Sequence, residues 1–135
     1  MGRPVTATSS VQNYVPGNTV DGNANSYWES ANNSWPQSLT VDLGNSLAVK
    51  RLVLKLPPSS AWGTRTQTIA VLGSTNGSSY STLAAAAGRT FDPGSGNTAT
   101  ITLPAAVNTR YVRLTFTANT GWPAGQLSEY EVYSS

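Results

Sequence analysis

Ser38-Leu39-Thr40-Val41-Asp42-Leu43 sets Leu39, Val41 and Leu43 on one side of the chain and Ser38, Thr40 and Asp42 on the other. Leu52, Leu54 and Leu56 repeat the same two-residue period soon after. A period of two belongs to an extended chain with one face against a core, so strands are expected at Ser38 to Leu43 and at Leu52 to Leu56. Working outward, Gln67 to Ser74, Thr98 to Leu103, Arg110 to Thr117 and Leu127 to Tyr133 are rich in Thr, Val, Ile and Tyr and are punctuated by Gly or Pro, which predicts further strands. No segment carries a convincing helical period. Ala84 to Ala87 could make one helical turn, but four alanines ahead of Gly88 are too few to hold it alone. Six or more short strands with turns between them predict an all-β fold: a single-domain antiparallel β-sandwich of jelly-roll type spanning residues 1–135, with no internal repeat.

At 135 residues the chain is long enough to bury one core and too short for two. Only 10% of its residues are charged and the formal net charge is +2, with the eight Lys and Arg scattered. No stripe can neutralise a phosphate backbone, so no nucleic-acid partner is expected. The sequence has no apolar run of helix-spanning length and no basic amphipathic segment, which argues against a membrane partner. Polarity comes instead from Ser, Thr, Asn and Gly, a composition common in secreted polysaccharide-degrading systems, and a secreted, extracellular location is the expectation. Met1-Gly2 opens no signal-peptide pattern, so the export signal is expected elsewhere in a longer parent protein. Without Cys there are neither disulfides nor thiolate metal sites.

Four aromatic residues, Tyr14, Trp35, Trp62 and Trp122, stand in Ser/Asn/Pro/Gly-rich stretches outside the strand-like runs. Hydrophobic surface left in loops marks a binding site, and a Trp or Tyr ring can stack on the CH-rich face of a pyranose. Pro57-Pro58 ends the Leu-rich strand and stiffens the segment that carries Trp62. Arg65, three residues on, has the planar fork that suits two vicinal hydroxyls. Gln126, Asn32 and Asn33 are lesser candidates. Asn18, Asp21, Asn23 and Ser26 place oxygen donors around a Gly-containing turn, which serves either the turn itself or a hard cation. Arg110 and Arg113 alternate with Tyr111 on a strand and are expected to pair with acids such as Asp42 or Glu131, while Asp92 in Phe91-Asp92-Pro93-Gly94 reads as a turn residue.

Catalysis has little to work with. The six acids and the absence of His and Cys exclude Ser-His-Asp and Cys-His arrangements. With Asp92 in a turn, Asp42 on a strand and Asp21 in the candidate cation site, nothing sets the remaining acids, Glu29 and Glu131 among them, face to face as glycoside hydrolysis requires.

Five segments in order resemble the coagulation factor 5/8 type C, or discoidin, domain in its bacterial carbohydrate-binding form, carbohydrate-binding module family 32. They are Thr19-Val20-Asp21-Gly22-Asn23 with Tyr27-Trp28-Glu29-Ser30, Leu39 to Gly44, Val71-Leu72-Gly73-Ser74-Thr75-Asn76-Gly77, Thr109 to Leu114, and Leu127 to Tyr133. The resemblance implies a jelly-roll sandwich, agreeing with the strand count. It also implies a structural calcium, Ca2+, held by Asn18, Asp21, Asn23 and Ser26 together with Ser128 and Glu129 of the closing strand, and it puts Trp28 in the core beneath that loop. Where the family often has a Trp just before the second motif, this chain has Ser38 with Trp35 three residues earlier, so Trp35 either fills that core role or joins the sugar surface.

The function this implies is a non-catalytic module, monomeric and tethered to the catalytic domain of a secreted glycoside hydrolase, that binds a polysaccharide or oligosaccharide through Trp62, Trp122, Arg65, Tyr14 and Trp35. Relatives that bind chitosan are expected to carry acids in these loops and galactose-binding relatives a His. This chain has neither, which favours a neutral glucan, with galactosides second. The competing expectation is a discoidin-type adhesion domain for galactosides, protein or phospholipid. That reading calls for basic residues around the aromatic tips, where only Arg65 qualifies.

Overall fold

The alternation that opens the chain's first long apolar run extends further than its two halves suggest. The structure is a computed structural model that describes residues 5–10, 14–20, 26–57, 64–121 and 124–134. In it β3 runs unbroken through Gln37–Lys55, burying Leu39, Val41 and Leu43 and then Leu52 and Leu54. Between the two sets Gly44 adopts φ 88, and its N–H is held by the Asp42 carboxylate at 2.9 Å. This left-handed turn is open to glycine and lets the strand bend without ending. Its partner β6, Thr98–Asn119, bends alongside it: residues 37–42 face 111–116, and residues 51–55 face 98–102. Four expected strands are thus two long bent ones.

Around this pair the remaining strands are β1 (Val5–Ala7), β2 (Trp28–Glu29), β4 (Arg65–Ser74), β5 (Ser81–Phe91), β7 (Gln126–Leu127) and β8 (Glu129–Tyr133), all paired antiparallel. One layer has the order β1-β3-β6-β4-β5. The other sets residues 51–55 of β3 between β8 and residues 98–102 of β6, so β3 and β6 belong to both layers. The result is a five-on-three β-sandwich with a small β2-β7 ribbon at its side. Its core gathers Trp28, Leu39, Leu54, Ile69, Phe91 and Phe116 with their neighbours.

β5 contains Ala84 to Ala87, the segment that could have made a helical turn. It is an edge strand on β4, with residues 85–88 exposed and register irregularities around Val71. Having almost nothing to bury, it shows no alternation, and its conformation is set by the ladder to β4 rather than by its own side chains. The turn before it follows the sequence. The Ser74 hydroxyl accepts from the N–H groups of Asn76 and Gly77, Asn76 Oδ1 accepts from those of Ser78 and Ser79, and Gly77 sits at φ 78 against the Tyr111 ring.

The outward-facing arginines divide. Arg110 forms the expected fork on Asp42, Nε to Oδ1 at 2.8 Å and Nη2 to Oδ2 at 3.1 Å. Among the described residues Arg113 reaches no acid. Its Nε donates to the Thr40 hydroxyl at 3.1 Å and its guanidinium lies 3.9 Å from the centre of the Tyr80 ring, while Glu131 pairs with Lys55 at 3.4 Å.

Register decides which loops share an end. Arg65 opens β4 opposite Phe91 at the close of β5, and Gln67 faces Asn119 at the close of β6. Asn97 donates to Asp92 O and accepts from Leu56 N–H, which brings the end of β3 to the same place. Both ends of β3, the start of β4, the turn at 92–97 and the close of β6 therefore meet at one end. The bends at 44–48 and 104–108 and the 75–79 turn lie at the other.

Candidate functional site

Gln67 breaks the pattern of its own strand. It precedes Ile69 and Val71 on the core-facing side and is fully buried, where an unpaired amide would be costly. Its amide is satisfied by the backbone of β7: Nε2 donates to Gln126 O at 2.9 Å and Oε1 accepts from Gln126 N–H at 3.0 Å. This imitates a strand neighbour and fixes Gln126, itself 3% exposed.

Gln126 in turn joins two charges. Its Nε2 donates to Glu29 Oε1 at 2.8 Å, and its Oε1 accepts from Arg65 Nη1 at 2.7 Å and from Asn119 Nδ2 at 3.2 Å. Only one orientation of the amide works, because the flipped form sets NH2 against the guanidinium and oxygen against the carboxylate. Asn119 ties in the next loop, donating to Ala124 O at 3.0 Å and accepting from Gly121 N–H at 2.9 Å. Gly121 lies flat on Arg65: a Cβ there would stand 2.9 Å from both Cβ and Nε of the arginine. Burial lowers the Arg65 pKa and the nearby Glu29 carboxylate acts to raise it, so the two charges sense each other across the amide.

Tyr14 joins the same end through its main chain, its carbonyl accepting from Glu29 N–H at 3.1 Å. Its ring stacks on Tyr27 with centroids 4.4 Å apart and planes 12° from parallel. Burial and then the hydrogen bond with Tyr14 push the Tyr27 hydroxyl pKa well above its ordinary value, so it stays protonated. Trp28 is fully buried, as its motif implies; its indole N–H donates to Ser9 O at 2.9 Å and its ring lies 5.4 Å from Phe116. Trp35 is half-buried and packs against the core. Asn32 and Asn33 are exposed, with Asn33 at φ 58.

Trp62 and Trp122 lie outside the described residues. Their described flanks meet, however: Thr66 N–H donates to the Thr120 hydroxyl at 2.9 Å, Thr120 N–H donates to Thr66 O at 3.0 Å, and Gly121 touches Arg65. Of the expected sugar residues, the structure therefore brings Arg65 and Tyr14 to one end with Gln126 between the arginine and Glu29. Gln126 is a buried connector rather than a surface contact. Glu29, Gln67, Asn119 and Tyr27 were not singled out as site residues. A glutamine at a core-facing strand position was the available signal for Gln67.

The expected calcium ligands divide likewise, Asp21 and Asn23 lying outside the described residues. Asn18 sits in a short 3-10 turn, Pro16–Thr19, and its amide donates to Tyr27 O at 3.0 Å. Ser128 anchors to Lys55 O through its N–H at 2.7 Å and its hydroxyl at 3.0 Å, which fixes the start of β8 where Glu129 follows, 9% exposed. Thr19, Val20 and Glu129 border one cleft of about 640 Å³. A near-buried carboxylate facing the chain that leads into residues 21–25 fits a hard, oxygen-liganded cation. Among the described residues no three Asp, Glu, His or Cys cluster closely enough to hold a metal, so a cation there would need ligands from Asp21 and Asn23.

A five-on-three antiparallel sandwich with its polar network and turns gathered at one end defines the class. Residues 4–130 match the F5/8 type C domain, and the chain belongs to that family. Among solved structures it is similar to the CBM32 module of AlyQ in complex with 4,5-unsaturated mannuronic acid (21% identity, TM-score 0.79, covering 98% of this chain and 95% of that one). It is also similar to the family 32 module of Clostridium perfringens NanJ in complex with galactose (22%, 0.77, 96% and 91%). A third is chitosan-binding module 1 of a chitosanase/glucanase from Paenibacillus sp. IK-5 (28%, 0.74, 98% and 96%). No curated protein matches the chain.

Proposed function

We propose that this domain is a non-catalytic carbohydrate-binding module that holds a neutral polysaccharide, preferably a glucan, at the end of the sandwich where Arg65 emerges. The observation that carries the reading is the Arg65–Gln126–Glu29 chain of hydrogen bonds beneath the meeting flanks of the Trp62 and Trp122 segments. A fixed guanidinium supplies paired donors to ring hydroxyls, and aromatic rings beside it supply the stacking face. Two of the similar solved modules are in complex with 4,5-unsaturated mannuronic acid and with galactose, and a third is a chitosan-binding module, so recognising sugars is common to these neighbours while the sugar differs.

The acids support a binding role over a catalytic one. Asp42 is forked to Arg110, Glu131 pairs with Lys55, Asp92 caps its own turn through Gly94 N–H, and Glu29 is hydrogen-bonded to Gln126. Calcium, held by Asn18, Asp21, Asn23, Ser26, Ser128 and Glu129, supplies a cross-link between the early turn and the closing strand. A secreted parent carrying a catalytic domain fits the family, since truncated AlyQ combines a CBM32 with alginate lyase domains.

Affinity electrophoresis tests the reading. The domain and its Trp62→Ala, Trp122→Ala and Arg65→Ala variants are run through gels containing soluble α- and β-glucans, galactans and chitosan. Retardation by one neutral glucan, with Kd of about 0.1 to 1 mM for a shallow site of this kind, is expected and should be lost in folded variants. Migration unaffected by every polysaccharide would refute it.

A further inference from the structure

A lone guanidinium in a sugar site attracts carboxylates, which match its fork in both geometry and charge. Arg65 is not alone. Its Nη1 donates to Gln126 Oε1, and the far end of that amide donates to Glu29, whose carboxylate is held 8% exposed beneath it. The amide is aligned head to tail between the two charges. Because Glu29 is shielded from water, its field reaches the mouth of the site without the screening that an exposed acid suffers. The other acid of this neighbourhood, Asp92, is exposed and turned into its own loop, its Oδ1 taking the Gly94 N–H at 2.9 Å and the Thr64 hydroxyl at 3.3 Å.

We propose that Glu29, acting through Gln126, is a specificity-determining residue: it cancels the charge of Arg65 so that the site keeps the arginine's donors for hydroxyl groups yet rejects uronate-bearing polysaccharides. This rests on the reading of this end as the sugar site. Glu29 is a positioning and charge-compensating group and need not touch the ligand.

Two near-isosteric substitutions move the local charge in opposite directions. Glu29→Gln keeps an oxygen for Gln126 Nε2 and leaves the arginine uncompensated. Gln126→Glu gives Arg65 a carboxylate of its own beside that of Glu29, an excess of one negative charge. The double variant Glu29→Gln/Gln126→Glu returns to neutrality, with the new amide at 29 donating to the new carboxylate at 126. The four proteins are compared by affinity electrophoresis in hydroxyethyl cellulose and other neutral glucans, in polygalacturonate and in glycol chitosan, at low salt and in 0.5 M NaCl (about a 4 Å screening length), with near-ultraviolet circular dichroism and melting to establish folding.

The expected result is that the wild-type domain binds a neutral glucan and passes polygalacturonate. Glu29→Gln gains affinity for polygalacturonate by about tenfold at low salt, less at high salt. Gln126→Glu shifts towards glycol chitosan, and the double variant reverts. Adding Arg65→Gln to Glu29→Gln should erase the gain, because the compensated charge is then gone. If Gln126→Glu does not fold, the Glu29→Gln and Glu29→Gln/Arg65→Gln pair decides alone. Neutral-glucan binding retained in Glu29→Gln with no gain on polygalacturonate would overturn the inference and leave the sugar site standing. Wild-type preference for polygalacturonate would overturn it as well. Failure of all four proteins on every polysaccharide would remove the sugar site and the inference together.

Discussion

Trp28→Phe is the substitution for which the structure gives the sharpest number. The indole N–H that donates to Ser9 O disappears, and with a half-exposed acceptor able to take water the cost is about 1 kcal/mol. The missing ring edge leaves a void on the Gly125 side, where a Cβ would stand only 3.1 Å from Trp28 Cη2, and packing this tight cannot collapse to fill it. Lost contacts and residual cavity add about 1–2 kcal/mol, for a total of about 2–3 kcal/mol. For a domain of this length that lowers Tm by about 6–12 °C. Differential scanning calorimetry with urea unfolding measures it, and Trp35→Phe is the internal control. Trp35 is half-buried at the rim of the core and should cost about 1 kcal/mol or less. A fall below 3 °C for Trp28→Phe, or one no larger than that of Trp35→Phe, would refute the assignment of Trp28 as the pillar under the early loop.

Two further outcomes follow from the closing strand. Tyr130 is buried and its hydroxyl donates to Val112 O at 2.7 Å; burial raises its pKa well above 10. Above pH 10 the unfolded chain releases that proton while the folded chain keeps it, so stability should fall there by about 1.4 kcal/mol per pH unit, and Tyr130→Phe should flatten the slope in alkaline urea titrations. A slope unchanged by the substitution would assign the alkaline loss to other groups. For the proposed calcium site, a concentration one hundred times Kd should stabilise the domain by about 2.7 kcal/mol, a gain that a chelator reverses and Glu129→Gln abolishes; melting indifferent to both would remove the site.

The sandwich was legible in the sequence wherever strands bury one face. The Leu39-Val41-Leu43 and Leu52-Leu54-Leu56 alternations place their side chains as read. What escaped was continuity and compensation. The strand expected over Ser38 to Leu43 does not stop there, because the Asp42 side chain holds a bend at Gly44 within a single strand. The alanines of β5, too few to hold a turn of helix, were not read as a strand either, because an edge strand with little to bury carries no period. The site was readable in its parts and not in its wiring. Arg65 and Tyr14 could be named as candidates from residue type, whereas the Glu29–Gln126 bond joins positions 97 apart in sequence, a pairing that only the closed fold produces. Arg113 found an aromatic ring and a hydroxyl where an acid was expected, while Asp42 is forked to Arg110 and Glu131 pairs with Lys55.

The two long strands that run through both layers have a mechanical meaning. In a sandwich of separate strands the sheets are held together by their apolar faces alone and can shear past one another. Here β3 and β6 rivet the layers, since neither sheet can slide or peel without breaking a ladder that the other also uses. A tether domain has to carry tension between an anchored polymer and whatever it is fused to. In the proposed tethering role that load would fall on covalent chain crossing between the two faces.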